Sequence, residues 1–146
     1  GLLSRELATR SRELVLVDLS LRSVLEARAR CAGSHAKLIA VVADAEAFEL
    51  AEDSVDTVVA ANLVDLMERP ESLLAAAGRM LRERGRLVVS TPDPSLGQGD
   101  DRALAELLQA LDFEIVANHE ARPWLRVHSA RYSQLYWVSV LVAERG

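Results

Sequence analysis

Two carboxylates stand where apolar runs of the sequence end. Asp18 follows the apolar residues 14–17, and Asp44 follows the apolar run 38–42 by two residues. Continuous apolar runs are typical of strands buried in parallel sheets, and ligands bind at the carboxyl ends of such strands. An acid at Asp18 can accept hydrogen bonds from both hydroxyls of a ribose, and Asp44 can accept one from an adenine amino group, with the backbone of Ala45 beside the ring.

Each acid also has a structural interpretation. Asp18 precedes the helix-starting pair Leu19-Ser20, and both Asp and Ser are good N-cap residues, so Asp18 or Ser20 could cap the next helix. Asp44 could be an ordinary turn aspartate. The spacing favours a ligand role for Asp18, because it lies 17 residues after Gly1, near the roughly 20 residues expected between a glycine-rich turn and its ribose-binding acid.

Two further groups of polar residues could act at the same sheet edge. A third apolar run, 55–61, is followed by Asn62 and Asp65. Basic side chains are concentrated in the segment 122–132, where guanidinium groups could hold a carboxylate through paired hydrogen bonds. A solvated loop is the alternative for this segment, which is predicted to lie between the last two strands.

The composition limits the classes of function. The net charge of −5 argues against non-specific binding to nucleic acid or anionic membranes, and no apolar run approaches a membrane span. A single cysteine, Cys31, cannot form an internal disulfide, which favours a reducing, cytoplasmic setting. The three histidines, His35, His119 and His128, lack the spacing of metal ligands, so no metal site is expected.

The elements that must position these residues alternate along the chain. Helices are predicted at 1–12, 21–32, 71–84 and 103–111, and strands at 14–17, 38–42, 55–62, 86–90, 113–116 and 135–143. Gly33 and Gly85 are predicted to end the second and third helices. This alternation predicts one α/β domain over residues 1–146, mainly parallel with an antiparallel C-terminal edge.

Four segments in this order resemble the class I S-adenosylmethionine-dependent methyltransferases, in particular their type 11 group. They are DLS at 18–20, ADAEAF at 43–48, DSVDTVVAANLVDL at 53–66 and LRERGRLVVSTP at 81–92. The resemblance implies a Rossmann-like doubly wound sheet and S-adenosylmethionine as cofactor. It implies that Asp18 and the adjacent Leu19 bind the ribose, that Asp44 and Ala45 bind the adenine, and that Asn62 contacts the methionine moiety.

The same resemblance implies that Gly1 is the last glycine of the family's glycine-rich loop. The family's first strand and the earlier glycines of that loop precede this position, so we expect a methyltransferase domain truncated at its N-terminus. The missing strand would lie between residues 14–17 and 55–60. An unpaired edge there would favour aggregation, a homodimer or low stability.

A narrower resemblance concerns the tail. ANLVDL together with RPWLRVHSARYSQLYWVSVLVAER at 122–145 is similar to methyltransferases acting on the imidazole of sulfur-bearing histidine derivatives, of the ovothiol or mercaptohistidine type. It implies a small-molecule acceptor derived from an amino acid, whose carboxylate Arg126 or Arg131 would bind. Methyl transfer depends mainly on alignment. If the acceptor must lose a proton, Asp65, His128 and Tyr132 are the candidate bases.

Two other classes remain open from the residues. A non-catalytic nucleotide-fold module or scaffold would suit a chain without the full glycine loop. An NAD-dependent enzyme would also place Asp18 on a ribose, although Asp44 and the lack of evident hydride-transfer residues weaken this alternative.

Overall fold

The computed structural model describes residues 2–92 and 103–146, with residues 2, 120, 121 and 128 described by their backbone alone. Gly1 lies outside the described residues. So do Gly97, Gly99, Asp100 and Asp101, whose clustering in the sequence predicts a loop at the ligand edge of the sheet. The chain divides into two compact units, one ending at Phe48 and the other beginning at Glu49.

The first unit consists of two helices and two strands. They are α1 (Leu2–Arg10), β1 (Glu13–Asp18), α2 (Leu21–Arg30) and β2 (Lys37–Val42). The strands are parallel and in register, from Glu13 opposite Lys37 to Asp18 opposite Val42. Their carboxyl ends therefore lie side by side, as the two apolar runs predicted.

The apolar run in β1 is less buried than predicted. Each residue from Leu14 to Val17 is only half-buried, so the prediction of a strand buried on both faces is wrong. Among the residues that the structure describes, β1 pairs with β2 and with no other strand. Apolar composition identified the strand correctly, but burial depends on how many neighbours pack against it.

The second unit contains the remaining elements around a four-stranded sheet. They are β3 (Val55–Ala61), a 3₁₀ turn (Val64–Leu66), α3 (Pro70–Met80), β4 (Leu81–Thr91), α4 (Ala103–Ala110), β5 (Phe113–Ser129) and β6 (Tyr132–Arg145). The strand order is β3-β4-β6-β5, with β3 parallel to β4 and β6 antiparallel to both neighbours. The α/β class and the antiparallel C-terminal edge are confirmed. The mainly parallel description is only partly confirmed, because the described sheets contain two parallel and two antiparallel strand pairs.

The third helix ends earlier than its sequence pattern predicted. It was predicted to run over 71–84 with Gly85 as its C-cap, but α3 ends at Met80 and Leu81 is already extended. Gly85 instead lies buried in β4, where an added Cβ would come within 2.8 Å of the Arg82 carbonyl oxygen. This close approach requires glycine. The residue in the left-handed backbone region is the preceding Arg84 (φ 60°).

The segment predicted as a loop between the last strands is a β-hairpin. β5 and β6 remain paired as far as Ser129 opposite Tyr132, whereas β6 pairs with β4 only as far as Ser139, opposite Thr91. Residues 122–138 therefore pair only with each other, and we call them the arm. Because β6 runs antiparallel to β4, the arm continues past the carboxyl end of β4.

Candidate functional site

The first group of candidate residues lies at the carboxyl edge of the β1–β2 sheet. The backbone N–H of Ala43 donates to the carbonyl of Asp18 at 3.2 Å, which continues the pairing just past both strands. Asp18 accepts the N–H of Ser20 at Oδ1 (2.8 Å), and Asp44 accepts the N–H of Glu46 at Oδ1 (2.9 Å). Both carboxylates are exposed and hold their own turns with one oxygen.

Ser20, and not Asp18, is the N-cap of α2. The Ser20 Oγ accepts the N–H of Ser23 at 3.3 Å. The Asp18 carboxylate instead accepts the N–H of Ser20, before the helix begins. Leu19, between them, is 74% exposed, and Ala45 beside Asp44 is half-buried. Of the two candidate caps, Ser20 therefore caps α2 and Asp18 does not.

The charges of these two acids are not neutralised by neighbouring bases. Within the described residues, neither Asp18 nor Asp44 forms an ion pair, whereas Glu13 at the opposite end of β1 is paired with Lys37 at 3.0 Å. Arg22 on α2 donates to Glu26 at 2.9 Å and lowers the pKa of that carboxyl below its ordinary value. Both acids can therefore accept hydrogen bonds from a polar ligand through oxygens that the turns do not use.

The second group lies at the carboxyl edge of the β3–β4 pair, in the other unit. Asn62 follows β3 in the left-handed region (φ 49°), which asparagine tolerates better than most residues. Its N–H donates to the Ser90 carbonyl (2.6 Å) and to Ser90 Oγ (3.2 Å), and Ser90 Oγ donates to Asn62 Oδ1 (3.2 Å). We call this group of hydrogen bonds the Asn62–Ser90 clasp. It fixes Asn62 while its side-chain N–H₂ group has no partner among the described residues.

Asp65 is the most unusual residue of this edge. It lies in the 3₁₀ turn after Asn62, between Val64, which is 1% exposed, and Leu66, which is 75% exposed. Its Oδ1 atom is buried and has no hydrogen-bond partner among the described residues. Buried polar atoms are almost always paired, and an unpaired acceptor costs about 1–3 kcal/mol, so a donor from a bound molecule would explain this atom.

The remaining predicted residues lie on the arm. Arg126 and Arg131 are exposed and form no ion pair within the described part of the chain; the Arg131 N–H donates to Ser129 Oγ at 3.2 Å. Tyr132 is 54% exposed and lies seven residues beyond Ser139, roughly 20 Å along an extended strand. The side chain of His128 lies outside the described residues, as does Gly1.

Ser90 was not predicted from the sequence, whereas Ser20 was one of the two residues proposed as a cap of the next helix. Ser90 had a signal, because it is the first polar residue after the apolar run 87–89, at the point where a parallel strand ends. Its partner could not be predicted, since strand registers are set by tertiary pairing.

Neither a metal-ligating group nor a membrane-spanning helix occurs among the described residues. No group of three or more His, Cys, Asp or Glu residues in this part of the chain is arranged to hold a metal ion. None of the described helices is both long enough and apolar enough to cross a membrane.

Comparison with known proteins links this geometry to a family. A family model described as a methyltransferase domain matches residues 1–89, which include the acids of the first unit and Asn62 and Asp65 of the second. A search of curated proteins finds no match.

Solved structures with the same fold extend over the rest of the chain. A Bacillus halodurans C-125 protein provisionally assigned as a methyltransferase has a TM-score of 0.77 at 16% identity, covering 99% of this chain and 88% of that one. The N-methyltransferase NodS of Bradyrhizobium japonicum WM9, solved with S-adenosyl-L-homocysteine, has a TM-score of 0.75 at 19% identity (99% and 72% covered). A SAM-dependent methyltransferase of Methanosarcina mazei has a TM-score of 0.72 at 16% identity (97% and 86%). At these identities the likeness concerns the fold.

Proposed function

The chain belongs to the methyltransferase domain family, and we propose that it transfers the methyl group of S-adenosylmethionine to a small-molecule acceptor. The observation that carries this proposal is Asp18, an exposed carboxylate at the carboxyl end of β1 that is outside any ion pair of the described residues. A ribose is the ligand that such an acid suits best in a nucleotide-binding α/β fold.

Residues of each unit suit one part of this cofactor. Asp18 would accept the ribose hydroxyls beside Leu19, and Asp44 would accept the adenine amino group, with the Ala45 backbone at the ring. Asn62, held by the Asn62–Ser90 clasp, offers amide hydrogens that no described residue accepts and that suit the carboxylate of the methionine moiety. When bound, S-adenosylmethionine would supply a methyl group on a positively charged sulfur. The group that leaves on transfer is a neutral thioether.

The chain's own contribution is to position the acceptor and, where needed, to accept its proton. We propose that Asp65 does this, because its buried Oδ1 lacks a donor in the described part of the chain. A carboxylate there can accept a hydrogen bond from an N–H or O–H of the acceptor and hold the proton that leaves on methylation. An amino-acid-derived imidazole nitrogen is the acceptor that we propose, with Arg126 or Arg131 on its carboxylate. His128 and Tyr132 remain alternative bases.

The first test of the function is calorimetry of the full chain with S-adenosylhomocysteine and, separately, with NAD. We expect S-adenosylhomocysteine to bind and NAD to bind much more weakly. Methyl transfer from radiolabelled S-adenosylmethionine is then measured with histidine, imidazolepropionate and imidazole as acceptors. Cofactor binding without transfer to any small molecule would favour the non-catalytic module, and preferential NAD binding would contradict the proposal.

Weakening the Asn62–Ser90 clasp is expected to raise the KM for the cofactor moderately. Ser90→Ala removes the hydroxyl that bridges both ends of Asn62 but keeps the bond from the Asn62 N–H to the backbone carbonyl. One neutral hydrogen bond contributes about 0.5–1.5 kcal/mol, so we expect the KM for S-adenosylmethionine to rise about 2- to 13-fold. Ser90→Thr retains the hydroxyl and should keep parental KM. Equal KM values for the Ala variant and the parent would show that the clasp does not position Asn62 for binding.

Substitution of the two arm arginines is expected to change the KM of the acceptor and not the affinity for the cofactor. A lysine ammonium cannot reproduce the planar fork of a guanidinium, so Arg126→Lys or Arg131→Lys should raise the KM of a carboxylate-bearing acceptor while leaving cofactor affinity unchanged. Arg28→Lys on α2, another exposed arginine, is the matched control. Parental kinetics in both arm variants, or preference for acceptors without a carboxylate, would contradict this role.

A further inference from the structure

The arm presents one face that consists of uncharged residues. Leu125 is directly opposite Leu135, Pro123 is opposite Trp137, and Val127 is opposite Ser133. Cross-strand partners share a face and successive residues alternate, so these six side chains lie on one side of the ribbon. We call this side the apolar arm face.

The apolar arm face is open to solvent. Leu125, Val127, Leu135 and Trp137 are 58%, 65%, 57% and 61% exposed, respectively. The opposite face is better packed, since Trp124 contacts Tyr136 with ring centroids 5.2 Å apart. A two-stranded ribbon is only marginally stable by itself, and contiguous exposed apolar side chains mark an interaction surface.

The distribution of charge indicates what covers this face. No acidic residue occurs between positions 121 and 143. The three arginines of the arm lie away from this face, since Arg122 and Arg126 are opposite Val138 and Gln134 on the other face and Arg131 is in the turn. An anionic partner would therefore be drawn to the other face or to the turn. In a twofold contact the face meets its own copy, and like charges would then repel; a face without charges avoids this.

We propose that the apolar arm face is the contact of a homodimer, in which the arms of two copies stack on each other. The Leu125–Leu135 pair would pack on its symmetry mate, with the side chains of Trp137 and Val127 at the two ends of the face. This contact is separate from the β1 edge and does not depend on the methyltransferase function.

The size of the face sets the expected affinity. Five residues along each of two strands span about 17 Å by about 10 Å, which is a few hundred Å² for each copy once side chains are included. A standard stable interface buries roughly 800 Å² for each partner. The dimer is therefore expected to be weak and to depend strongly on protein concentration.

Sedimentation velocity of the full chain from about 1 to about 500 μM tests the proposal, since this range spans micromolar dissociation constants. We expect a reversible shift from monomer to dimer. Leu125→Glu/Leu135→Glu should raise the Kd at least ~10-fold, because four carboxylates would meet in the contact. Leu135→Thr, which suits a strand, is the milder variant, and circular dichroism checks that each variant folds. Gln134→Glu, on the opposite face of the same strand, is the control and should associate as the parent does.

Trp137 reports directly on the contact. In a Trp124→Phe variant Trp137 is the one remaining tryptophan, and its fluorescence should shift to shorter wavelength as the dimer forms. A parent that stays monomeric up to the highest concentration overturns the proposal. A dimer that survives Leu135→Thr and the double Glu variant also overturns it, by placing the contact on another surface such as the β1 edge.

Discussion

Replacing Asp18 by Ala is expected to weaken binding of S-adenosylhomocysteine by about 10- to 150-fold for each ribose hydrogen bond that is lost. A hydrogen bond to a charged group contributes about 1.5–3 kcal/mol, and 1.4 kcal/mol corresponds to a factor of ten in Kd. Asp18 is exposed and outside any ion pair of the described residues, so no neighbouring base loses its partner in the free protein. Calorimetric titration measures the change.

Two further variants separate ligand binding from the local turn. Asp18→Asn retains an oxygen for the Ser20 N–H, which Asp18 now accepts at 2.8 Å, but it removes the charge. It should also bind the cofactor weakly. Glu13→Ala removes a carboxylate from the other end of the same strand, where Lys37 pairs with it, and should keep parental affinity. An Asp18→Ala variant that binds as tightly as the parent would show that the ribose lies elsewhere.

Replacing Asp65 by Leu is expected to lower activity and raise stability together. A positioned base contributes about 10²- to 10⁴-fold to rate, so kcat/KM should fall by that order. The free protein loses a buried acceptor that has no donor within residues 2–92 and 103–146, and its free energy of unfolding should rise by up to about 1–3 kcal/mol. Methyl transfer to the best acceptor of the imidazole series and urea unfolding of the ligand-free protein measure the two effects.

Opposite signs for the two effects distinguish a functional Asp65 from a structural one. Asp65→Asn, which keeps the shape but not the charge, should also lose activity. Asp56→Asn is the control, because Asp56 lies in β3 and pairs with Arg82 on the surface, where an ion pair contributes about 0–1 kcal/mol. It should leave kcat/KM unchanged. If Asp65→Leu is destabilised and keeps its activity, Asp65 is a structural residue.

The sequence by itself predicted the strands of the first unit and the place of its acids. Residues 14–17 and 38–42 are apolar runs with a carboxylate soon after each, and the parallel register that the structure shows places Asp18 and Asp44 at one edge. Such information is local, because a strand needs only apolar residues and its end needs only a polar one. For the same reason the end of β3 was predicted within one residue. The strand was predicted over 55–62, and β3 ends at Ala61, directly before Asn62.

The tertiary structure alone decided what lies across the chain from each of these residues. Ser90 meets Asn62 because β3 and β4 pair with one particular register, and the end of α3 at Met80 follows from Leu81 joining that sheet. The pairing of the arm strands was not predicted, because the charged residues and Pro123 of this segment are typical of a loop. The unpaired Oδ1 of Asp65 could not be predicted either, since satisfaction of a buried atom depends on every neighbour that packs around it.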